Sequence, residues 1–209
     1  MTIKSLLPEK TVERLSKYRR ILLSQVYNER EFIYSHELAR FLHLTSVQVR
    51  RDLMLMGYSG NPSKGYHVTS LITAINEIID PPETQYAAVV GMGNLGNAIA
   101  KYLKNKRELI RIVATFDVKE ELLGKCLPGI NCYHFDEMPK IIKELKITIG
   151  IITVPPLAAN TVKENLIKSG ISGILNFTAT SMLVPDNVYL EEYDIITSLE
   201  KIVYFTKHL

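Results

Sequence analysis

The chain has 209 residues, of which 46% are hydrophobic and 22% are charged, a balance typical of folded globular proteins rather than disordered ones. Its start lacks the apolar core of a signal peptide, and no window approaches the roughly 18 apolar residues of a membrane span. We therefore expect a cytoplasmic protein with no membrane partner. The two cysteines, Cys126 and Cys132, are too few for a disulfide framework, and the five scattered histidines complete no metal site.

The net charge of +3 is unevenly distributed along the chain. Residues 1–80 carry 11 Lys and Arg against 8 Asp and Glu, whereas residues 81–209 carry 14 of each. The excess positive charge marks the first part as the place where a polyanion would dock. A proline pair, Pro81-Pro82, follows Asp80 and cannot continue a helix. These features predict a first domain over 1–80, a second over 83–192 and a C-terminal helix over 193–209.

The first domain has the pattern of a helix-turn-helix. Helical spacing of apolar residues predicts a first helix over 8–28, and Ser35 is predicted to be the N-cap of a short second helix. The stretch Thr45-Ser46-Val47-Gln48 fits a capping box that opens a third helix, which is predicted to end near Gly57. Two helices joined by so short a turn indicate a helix-turn-helix.

A hairpin is predicted over Tyr58–Val68, followed by another helix capped by Thr69 or Ser70, so the domain is predicted to be a winged helix. Polar and basic side chains near the start of the third helix are the types that pair with base edges or phosphates. A solvated charged helix face is the alternative, but the wing and the local charge favour DNA. The predicted DNA-contacting residues are Thr45, Ser46, Gln48, Arg50, Arg51, Lys64 and Tyr66.

The second domain is predicted to be an α/β, Rossmann-like doubly wound parallel sheet. Short apolar runs over 86–90, 109–116, 147–154 and 171–177 alternate with helical segments, as parallel strands with crossover helices do. The last stretch, Asp194 to His208, is predicted to be an amphipathic helix that follows the sheet.

A glycine motif carries the strongest functional signal. The sequence Gly91-Met92-Gly93-Asn94-Leu95-Gly96 directly follows an apolar strand and opens a helix, which is the context of a dinucleotide site rather than of a ligand-free turn. Asp117 follows 21 residues after Gly96, where a carboxylate would accept hydrogen bonds from ribose hydroxyls. Like charge at that position disfavours a 2′-phosphate, so the motif predicts NAD(H) rather than NADP(H).

The same domain lacks the apparatus of a dehydrogenase. Its nearby histidine, His134, lies in a predicted loop after a short strand, and about 125 residues leave no room for a substrate domain. A nucleotide held without an acid or base indicates a sensed ligand, so we expect no enzyme activity. The alternatives are a small NAD-dependent oxidoreductase, a nucleotide-binding subunit of a CoA ligase, or a DNA-binding protein that responds to another adenine nucleotide.

Five stretches in one order identify a family resemblance that covers nearly the whole chain. They are Gln48-Val49-Arg50-Arg51-Asp52-Leu53, Gly91-Met92-Gly93-Asn94-Leu95-Gly96, Phe116-Asp117-Val118, Thr153-Val154-Pro155 and Gly173-Ile174-Leu175-Asn176-Phe177. The sequence resembles the Rex family of redox-sensing transcriptional repressors. The resemblance implies a homodimer that exchanges its C-terminal helix and leaves an inverted-repeat operator when NADH binds. It also implies a switch network of Arg20, Tyr102 and Asp194.

The sensed ligand, NADH or NAD+, differs between its two forms at the nicotinamide, which is cationic when oxidised. An apolar pocket would favour NADH, because burying an unpaired cation is costly. We expect Val154 and Pro155 near that ring, together with Ile195 of the partner subunit. The predicted nucleotide-binding residues are Gly91, Met92, Gly93, Asn94, Leu95, Gly96, Asp117, Val118, Thr153, Val154, Pro155, Asn176 and Ile195.

Two stretches depart from the family's pattern. The family's wing is usually Gly-Lys-Arg-Gly-x-Gly-Tyr, whereas this chain has Gly60-Asn61-Pro62-Ser63-Lys64-Gly65-Tyr66, with Lys64 as its single cation. The chain also has Thr178-Ala179 where the family favours Ala-Pro. We therefore expect the third helix to contribute more to DNA binding than the wing does.

Overall fold

The computed structural model describes residues 7–104, 106 and 109–207, with Lys125 described by its backbone alone. The chain divides into two compact units, one ending at Asp80 and the other beginning at Pro81. Residues 1–6 and 208–209, including His208 of the predicted C-terminal helix, lie outside the described residues.

The first unit packs four helices and a short two-stranded sheet around one apolar core. The inner face of its first helix carries Leu15, Tyr18 and Leu22 at helical spacing, and all three side chains are fully buried. They pack with apolar residues from the other helices, including Leu38, Leu53, Leu71 and Ile75. The elements are α1 (Glu9–Tyr27), β1 (Phe32–Ile33), α2 (Ser35–Phe41), α3 (Ser46–Leu55), β2 (Tyr66–His67) and α4 (Val68–Ile79).

Two predicted N-caps are wrong by one to three residues. Helix α2 begins at Ser35 itself, and its N-cap is Tyr34, whose backbone N–H donates to the Glu37 carboxylate at 2.8 Å. Helix α4 is capped by His67 rather than by Thr69 or Ser70. The His67 ring Nδ1 accepts the Ser70 backbone N–H at 3.3 Å, which places an aromatic nitrogen in the role usually taken by a hydroxyl.

The predicted wing hairpin is correct in position and wrong in its strand pairing. Within residues 58–68, all of which the structure describes, a single bridge joins Asn61 and Gly65. The strand β2 instead pairs antiparallel with β1, which comes from the segment between α1 and α2. This pairing satisfies the backbone of both strands while it buries Ile33 and Tyr66 in the core.

The second unit contains a seven-stranded sheet in the order β5-β6-β4-β3-β7-β8-β9, parallel throughout except for the β5–β6 pair. This confirms the predicted α/β doubly wound class. The strands are β3 (Gln85–Val90), β4 (Ile110–Asp117), β5 (Gly124–Leu127), β6 (Ile130–His134), β7 (Ile147–Ile152), β8 (Gly173–Asn176) and β9 (Tyr189–Glu192). The crossover helices are α5 (Asn94–Leu103), α6 (Met138–Glu144) and α7 (Pro156–Lys168).

The strand order reverses at β3, which has β4 on one side and β7 on the other. At such a switch point the loops leaving the carboxyl ends of neighbouring strands turn to opposite faces of the sheet and open a crevice. The glycine motif follows β3 and Asp117 ends β4, so the fold places both at this crevice.

The last helix, α8 (Ile195–Thr206), follows β9 and buries none of its side chains. Seven of its apolar residues are each 50–66% exposed: Ile195, Ile196, Leu199, Ile202, Val203, Tyr204 and Phe205. None of the helices in the described ranges combines the length and the apolar character needed to cross a membrane.

Candidate functional site

A cavity of about 590 Å³ opens at the switch point of the sheet. Its walls come from the carboxyl ends of β3, β4 and β7 and from the first two turns of α7. The lining residues are Val90, Gly91, Gly93, Asn94, Leu95, Phe116, Asp117, Val118, Lys119, Phe135, Thr153, Val154, Pro155, Ala158, Thr161 and Val162. This volume lies within the range of small-molecule and nucleotide sites.

The three glycines of the motif have three different reasons to be glycine. Gly91 has φ +94°, a left-handed conformation that side chains rarely adopt, and a Cβ there would lie 2.7 Å from Val154 Cγ1. A Cβ at Gly96 would overlap the carbonyl oxygen of Gly91. Gly93, the N-cap of α5, would meet nothing within 4 Å. The motif therefore leaves open space beside backbone N–H groups at a helix N-terminus, which fits an anionic pyrophosphate.

Asp117 is fixed by backbone donors at the edge of the cavity. Its Oδ2 accepts the Met92 N–H at 2.6 Å and its Oδ1 accepts the Lys119 N–H at 3.0 Å. Each carboxylate oxygen can accept a further hydrogen bond. The side chain is half-buried and lines the cavity, so the carboxylate is both oriented and able to accept from a ligand hydroxyl.

Thr153 joins the end of β7 to the glycine turn. Its hydroxyl lies 3.0 Å from the Val90 carbonyl oxygen and 2.8 Å from the Gly91 carbonyl oxygen, to which it donates. The residues after it, Val154 and Pro155, form part of the apolar wall of the cavity. The Thr153 hydroxyl therefore stabilises the crevice rather than facing it.

Four of the predicted nucleotide-binding residues do not line the cavity in the described part of the chain. Met92 is buried in the core, although its N–H holds Asp117, and Gly96 packs against Gly91. The amide of Asn176 is fully buried, donating to the Thr180 carbonyl at 2.8 Å and to the Glu192 carboxylate at 3.3 Å and accepting the Thr178 N–H at 2.9 Å. Ile195 is half exposed on α8.

Several lining residues were not predicted from sequence. Lys119 brings an ammonium group two residues after Asp117, and Phe135 directly follows β6 at the same edge of the sheet. Ala158, Thr161 and Val162 share one face of α7 at helical spacing. The signal for Phe135 was available, because it follows a short strand. The α7 face becomes identifiable only once the helix is known to cover the crevice.

In the first unit, a fully buried carboxylate ties α3 to α1. Asp52 accepts from Arg14 Nε at 2.6 Å and Nη2 at 2.7 Å, and from the Tyr18 hydroxyl at 2.8 Å. Gln48 Nε2 also donates to Asp52, at 2.9 Å. Burial alone would raise the pKa of Asp52, but the hydrogen bonds from these three side chains outweigh it and hold the pKa below its ordinary value.

The tie to Asp52 changes the role of Gln48. Thr45 caps α3 as predicted, accepting the Gln48 N–H at 3.1 Å, but the reciprocal half of the predicted capping box is wrong. The Gln48 side chain turns toward Asp52 instead. A hydrogen bond to a carboxylate is stronger than one between two neutral groups, such as the bond to the N-cap backbone. Gln48 thus helps to position the helix that it was predicted to use for reading bases.

Of the remaining predicted DNA residues, four lie at α3 and two lie in the wing. Thr45, Arg50 and Arg51 are exposed and Ser46 is half-buried at the start of α3. Arg50 Nη1 donates to the Ser35 hydroxyl at 3.2 Å, which holds its side chain toward α2.

The two predicted DNA residues of the wing differ in exposure. Tyr66 is 8% exposed and packs in the core, where burial raises the pKa of its hydroxyl, so its contact with DNA stays a prediction. Lys64 is exposed, and its ammonium lies 5.4 Å from the centre of the Phe32 ring. The Asn61 side-chain oxygen accepts three hydrogen bonds from Ser63 and Lys64 and closes the tip.

The three predicted switch residues are all exposed. Arg20 is the outward neighbour of Arg19, which is buried and donates to Asn76 at 3.1 Å and Asp80 at 2.6 Å. Tyr102 carries the ammonium of Lys106 at 5.2 Å from its ring centre.

Asp194 is the N-cap of α8. A hydrogen bond from the Thr197 hydroxyl, together with the Ile196 backbone N–H, lowers its pKa.

Both cysteine thiols, Cys126 and Cys132, are free, and burial raises the pKa of Cys132. Among the described residues no three His, Cys, Asp or Glu side chains are grouped as metal ligands.

Comparisons with known proteins agree with this division of the chain. A family described as "Putative DNA-binding protein N-terminus" matches residues 7–53, and a family described as "CoA binding domain" matches residues 83–180. The solved structure of RSP in complex with β-NAD+ and operator DNA superposes with a TM-score of 0.89 and 29% identity, covering 98% of this chain and 94% of that one. RSP in complex with β-NADH gives a TM-score of 0.87 and 28% identity, covering 98% and 96%.

Curated relatives match along almost the whole length. The redox-sensing transcriptional repressor Rex of Exiguobacterium sp. (strain ATCC BAA-1283 / AT1b) is 34% identical over 202 residues, covering 97% of this chain and 93% of the relative. The protein of the same name from Anoxybacillus flavithermus is also 34% identical, covering 97% and 95%. Identity at this level over both units shows the family, so the chain belongs to the Rex family of redox-sensing transcriptional repressors.

Proposed function

We propose that this protein represses transcription by binding operator DNA through its first unit and releases the DNA when NADH binds in the crevice of its second unit. The observation that carries the proposal is the glycine turn beside Asp117, in a chain that belongs to a repressor family. Solved relatives hold β-NAD+ with operator DNA in one structure and β-NADH in another. Membership in this family favours a repressor over the oxidoreductase and ligase alternatives.

The crevice supplies a reason to prefer the reduced ligand. Its wall contains Val154, Pro155, Leu95, Ala158 and Val162, against which a flat neutral ring can pack. The oxidised nicotinamide carries a positive charge, and these five side chains offer it no counter-ion, because the carboxylate of the cavity, Asp117, is assigned to the ribose. This preference decides which nucleotide occupies the crevice at a given NADH fraction. A ligand shifts a two-state equilibrium by its differential affinity for the two states, so release further requires that NADH bind the DNA-free state more tightly than the DNA-bound state.

Ribose recognition is assigned to Asp117. Its carboxylate is oriented by two backbone donors and retains acceptor capacity for the hydroxyls of an adenine ribose. Its negative charge disfavours a 2′-phosphate, whereas the neighbouring Lys119 would favour one. We assign the preference for NADH over NADPH to Asp117, because its carboxylate is held in place while Lys119 ends in a flexible ammonium.

The exposed apolar surface of α8 supports a homodimer. Seven apolar side chains, each at least half exposed on a helix that buries none of its described residues, would leave a large hydrophobic patch in water. A second copy that exchanges this helix would bury the patch and bring Ile195 of the partner subunit to the crevice. In such a dimer Arg20, Tyr102 and Asp194 would form the switch network. Because Arg19 is already bonded to Asn76 and Asp80, Arg20 is the arginine left to contribute.

This function places the protein in the bacterial cytoplasm, where operator DNA and the NADH pool are both found. We further assign the first domain to residues 1–80, the nucleotide domain to 83–192 and the exchanged helix to 193–209. The proposed DNA contacts are Thr45, Ser46, Arg50, Arg51 and Lys64.

The test is a DNA-binding titration in which total nucleotide is fixed and the NADH fraction varies. A duplex enriched by the protein from a random library, which we expect to be an inverted repeat, serves as the operator. We expect tight binding in NAD+ and release as the NADH fraction rises. NADPH, ATP and CoA are the matched controls and should leave the complex intact. Equal binding to random DNA, or release by ATP or CoA in place of NADH, would contradict the proposal.

A further inference from the structure

Helix α3 presents a stripe of three exposed side chains that the proposed function has not yet explained in full. At about 100° per residue, Val47, Arg51 and Met54 project within about 60° of one another. The buried residues of the same helix, Val49, Asp52 and Leu53, point the opposite way. The stripe is therefore the part of α3 farthest from the core of its own unit.

Two of the three residues are apolar and largely exposed. Val47 is 64% exposed and Met54 is 74% exposed, on either side of Arg51 along the helix. Exposing apolar side chains to water is unfavourable, and on this helix a carboxylate, Asp52, is buried while these two apolar side chains are exposed. Their exposure on both sides of a cation fits a surface that meets DNA, because Arg51 supplies the charge that attracts the phosphates.

The two polar neighbours of the stripe are restrained by other bonds. Gln48 donates one of its two amide hydrogens to Asp52 at 2.9 Å, which restrains the position of its side chain. Arg50 is held toward α2 by the Ser35 hydroxyl. With both of these side chains drawn to the flanks, the centre of the helix surface is left to Val47, Arg51 and Met54.

We propose that α3 reads its operator through thymine methyl groups contacted by Val47 and by Met54, one on each side of a base pair contacted by Arg51. The inference rests on the proposed DNA binding. Thymine is the base whose 5-methyl group offers an apolar contact in the major groove. Seven residues of helix rise about 10 Å, close to three base-pair steps of about 3.4 Å. The two contacted thymines therefore lie at most about three base pairs apart in each half-site, the separation reached when α3 runs along the duplex axis.

The test replaces thymines by deoxyuracil, which removes the 5-methyl group and leaves base pairing unchanged. The full-length protein first selects a duplex from a random library, and each thymine of that duplex is then replaced in turn. We expect two positions in a half-site at which the loss of the methyl group weakens binding by about fourfold, the value for a buried methyl-sized group.

Variants then assign each methyl group to a side chain. In Val47→Ser the uracil effect should fall below about twofold at one of the two positions and persist at the other, and Met54→Gln should show the reverse. Leu23→Gln is the matched control, because Leu23 is 52% exposed on α1 and lies outside the stripe. Wild-type hydrogen-exchange protection of α1–α4 in each variant shows that the first unit is folded.

Three outcomes are distinguishable. Failure to enrich any sequence would overturn the proposed function itself. Enrichment with no thymine sensitive to methyl loss, or with sensitivity that persists unchanged in both variants, would overturn the methyl readout while leaving repression intact.

Discussion

Each unit of the molecule contains one aspartate that joins separate segments, and the two carboxylates differ in the kind of group that donates hydrogen bonds to them. Asp52 is fully buried and accepts from the side chains of Arg14, Tyr18 and Gln48. Asp117 is half-buried and accepts from two backbone N–H groups while it faces a cavity. A carboxylate surrounded by side-chain donors fixes one helix on another. A carboxylate oriented by backbone remains available to a ligand.

The glycine turn beside Asp117 offers the largest expected effect on nucleotide binding. A Gly96→Ala change places a Cβ on the Gly91 carbonyl oxygen, so the turn must move away from Asp117. We expect NADH affinity to fall by at least about 100-fold, as measured by calorimetric titration, because the N–H groups no longer converge on the ligand. Gly173→Ala is the control, since its Cβ would meet Ile149 Cγ1 at an ordinary 3.7 Å. Unchanged affinity in Gly96→Ala would show that the turn does not hold the nucleotide.

Removal of the other carboxylate tests the first unit. Asp52→Ala leaves the Arg14 guanidinium and the Tyr18 hydroxyl without their shared acceptor, and loss of one partner of a buried pair typically costs about 3–5 kcal/mol. Hydrogen exchange followed by mass spectrometry should show faster exchange throughout α1–α4. Exchange in the β3–β7 region should be unchanged. If protection in α1–α4 stays at the wild-type level, Asp52 does not hold the two helices together.

Asp117→Ala tests whether the second carboxylate recognises the ligand. A hydrogen bond to a charged group contributes about 1.5–3 kcal/mol, so NADH affinity should fall by about 10- to 100-fold. Discrimination against NADPH should also weaken, because Lys119 remains as the cation near the ribose. Fluorescence titration with both nucleotides measures the two effects. A full retention of the preference for NADH would place ribose recognition elsewhere.

Acid should affect the first unit through Asp52, and this is the smallest effect expected. The pKa of the native carboxyl lies below its ordinary value of 3.8, so the unfolded chain binds a proton at a higher pH than the native state does. The stability that the group contributes is present above about pH 4 and is lost as the pH falls toward the native pKa. Denaturation midpoints measured over this range should depend less steeply on pH in Asp52→Asn. An equal dependence of the midpoint on pH in the wild type and in Asp52→Asn would show that Asp52 is not the source of the acid sensitivity.

The two units also differ in how much of them the sequence predicted. The nucleotide crevice was largely predictable, because glycine and aspartate at strand ends act through backbone geometry, which a local motif encodes. The partners of Asp52 were not, since they depend on how α1 packs on α3, with Arg14 separated from Asp52 by 38 positions.

Three predicted site residues have contacts within the protein that the sequence did not reveal. Tyr66 was assigned to DNA because of its place in the wing, and the pairing of β2 with β1 packs it into the core. Gln48 was assigned to base edges, and its side chain donates to the buried Asp52. Asn176 was assigned to the nucleotide, and its amide forms hydrogen bonds with Thr180, Thr178 and Glu192. Contact of these residues with DNA or nucleotide remains a prediction.

The tip of the wing has a thermodynamic consequence. The Asn61 side-chain oxygen accepts from the Ser63 N–H, the Ser63 hydroxyl and the Lys64 N–H, while its backbone exchanges two hydrogen bonds with Gly65. The loop is thus a closed ring before any partner arrives. Ordering a mobile loop on association costs conformational entropy. Here the backbone of the tip is ordered during folding, so only the Lys64 side chain has to be immobilised when it meets a phosphate, whereas a mobile wing would lose backbone freedom as well.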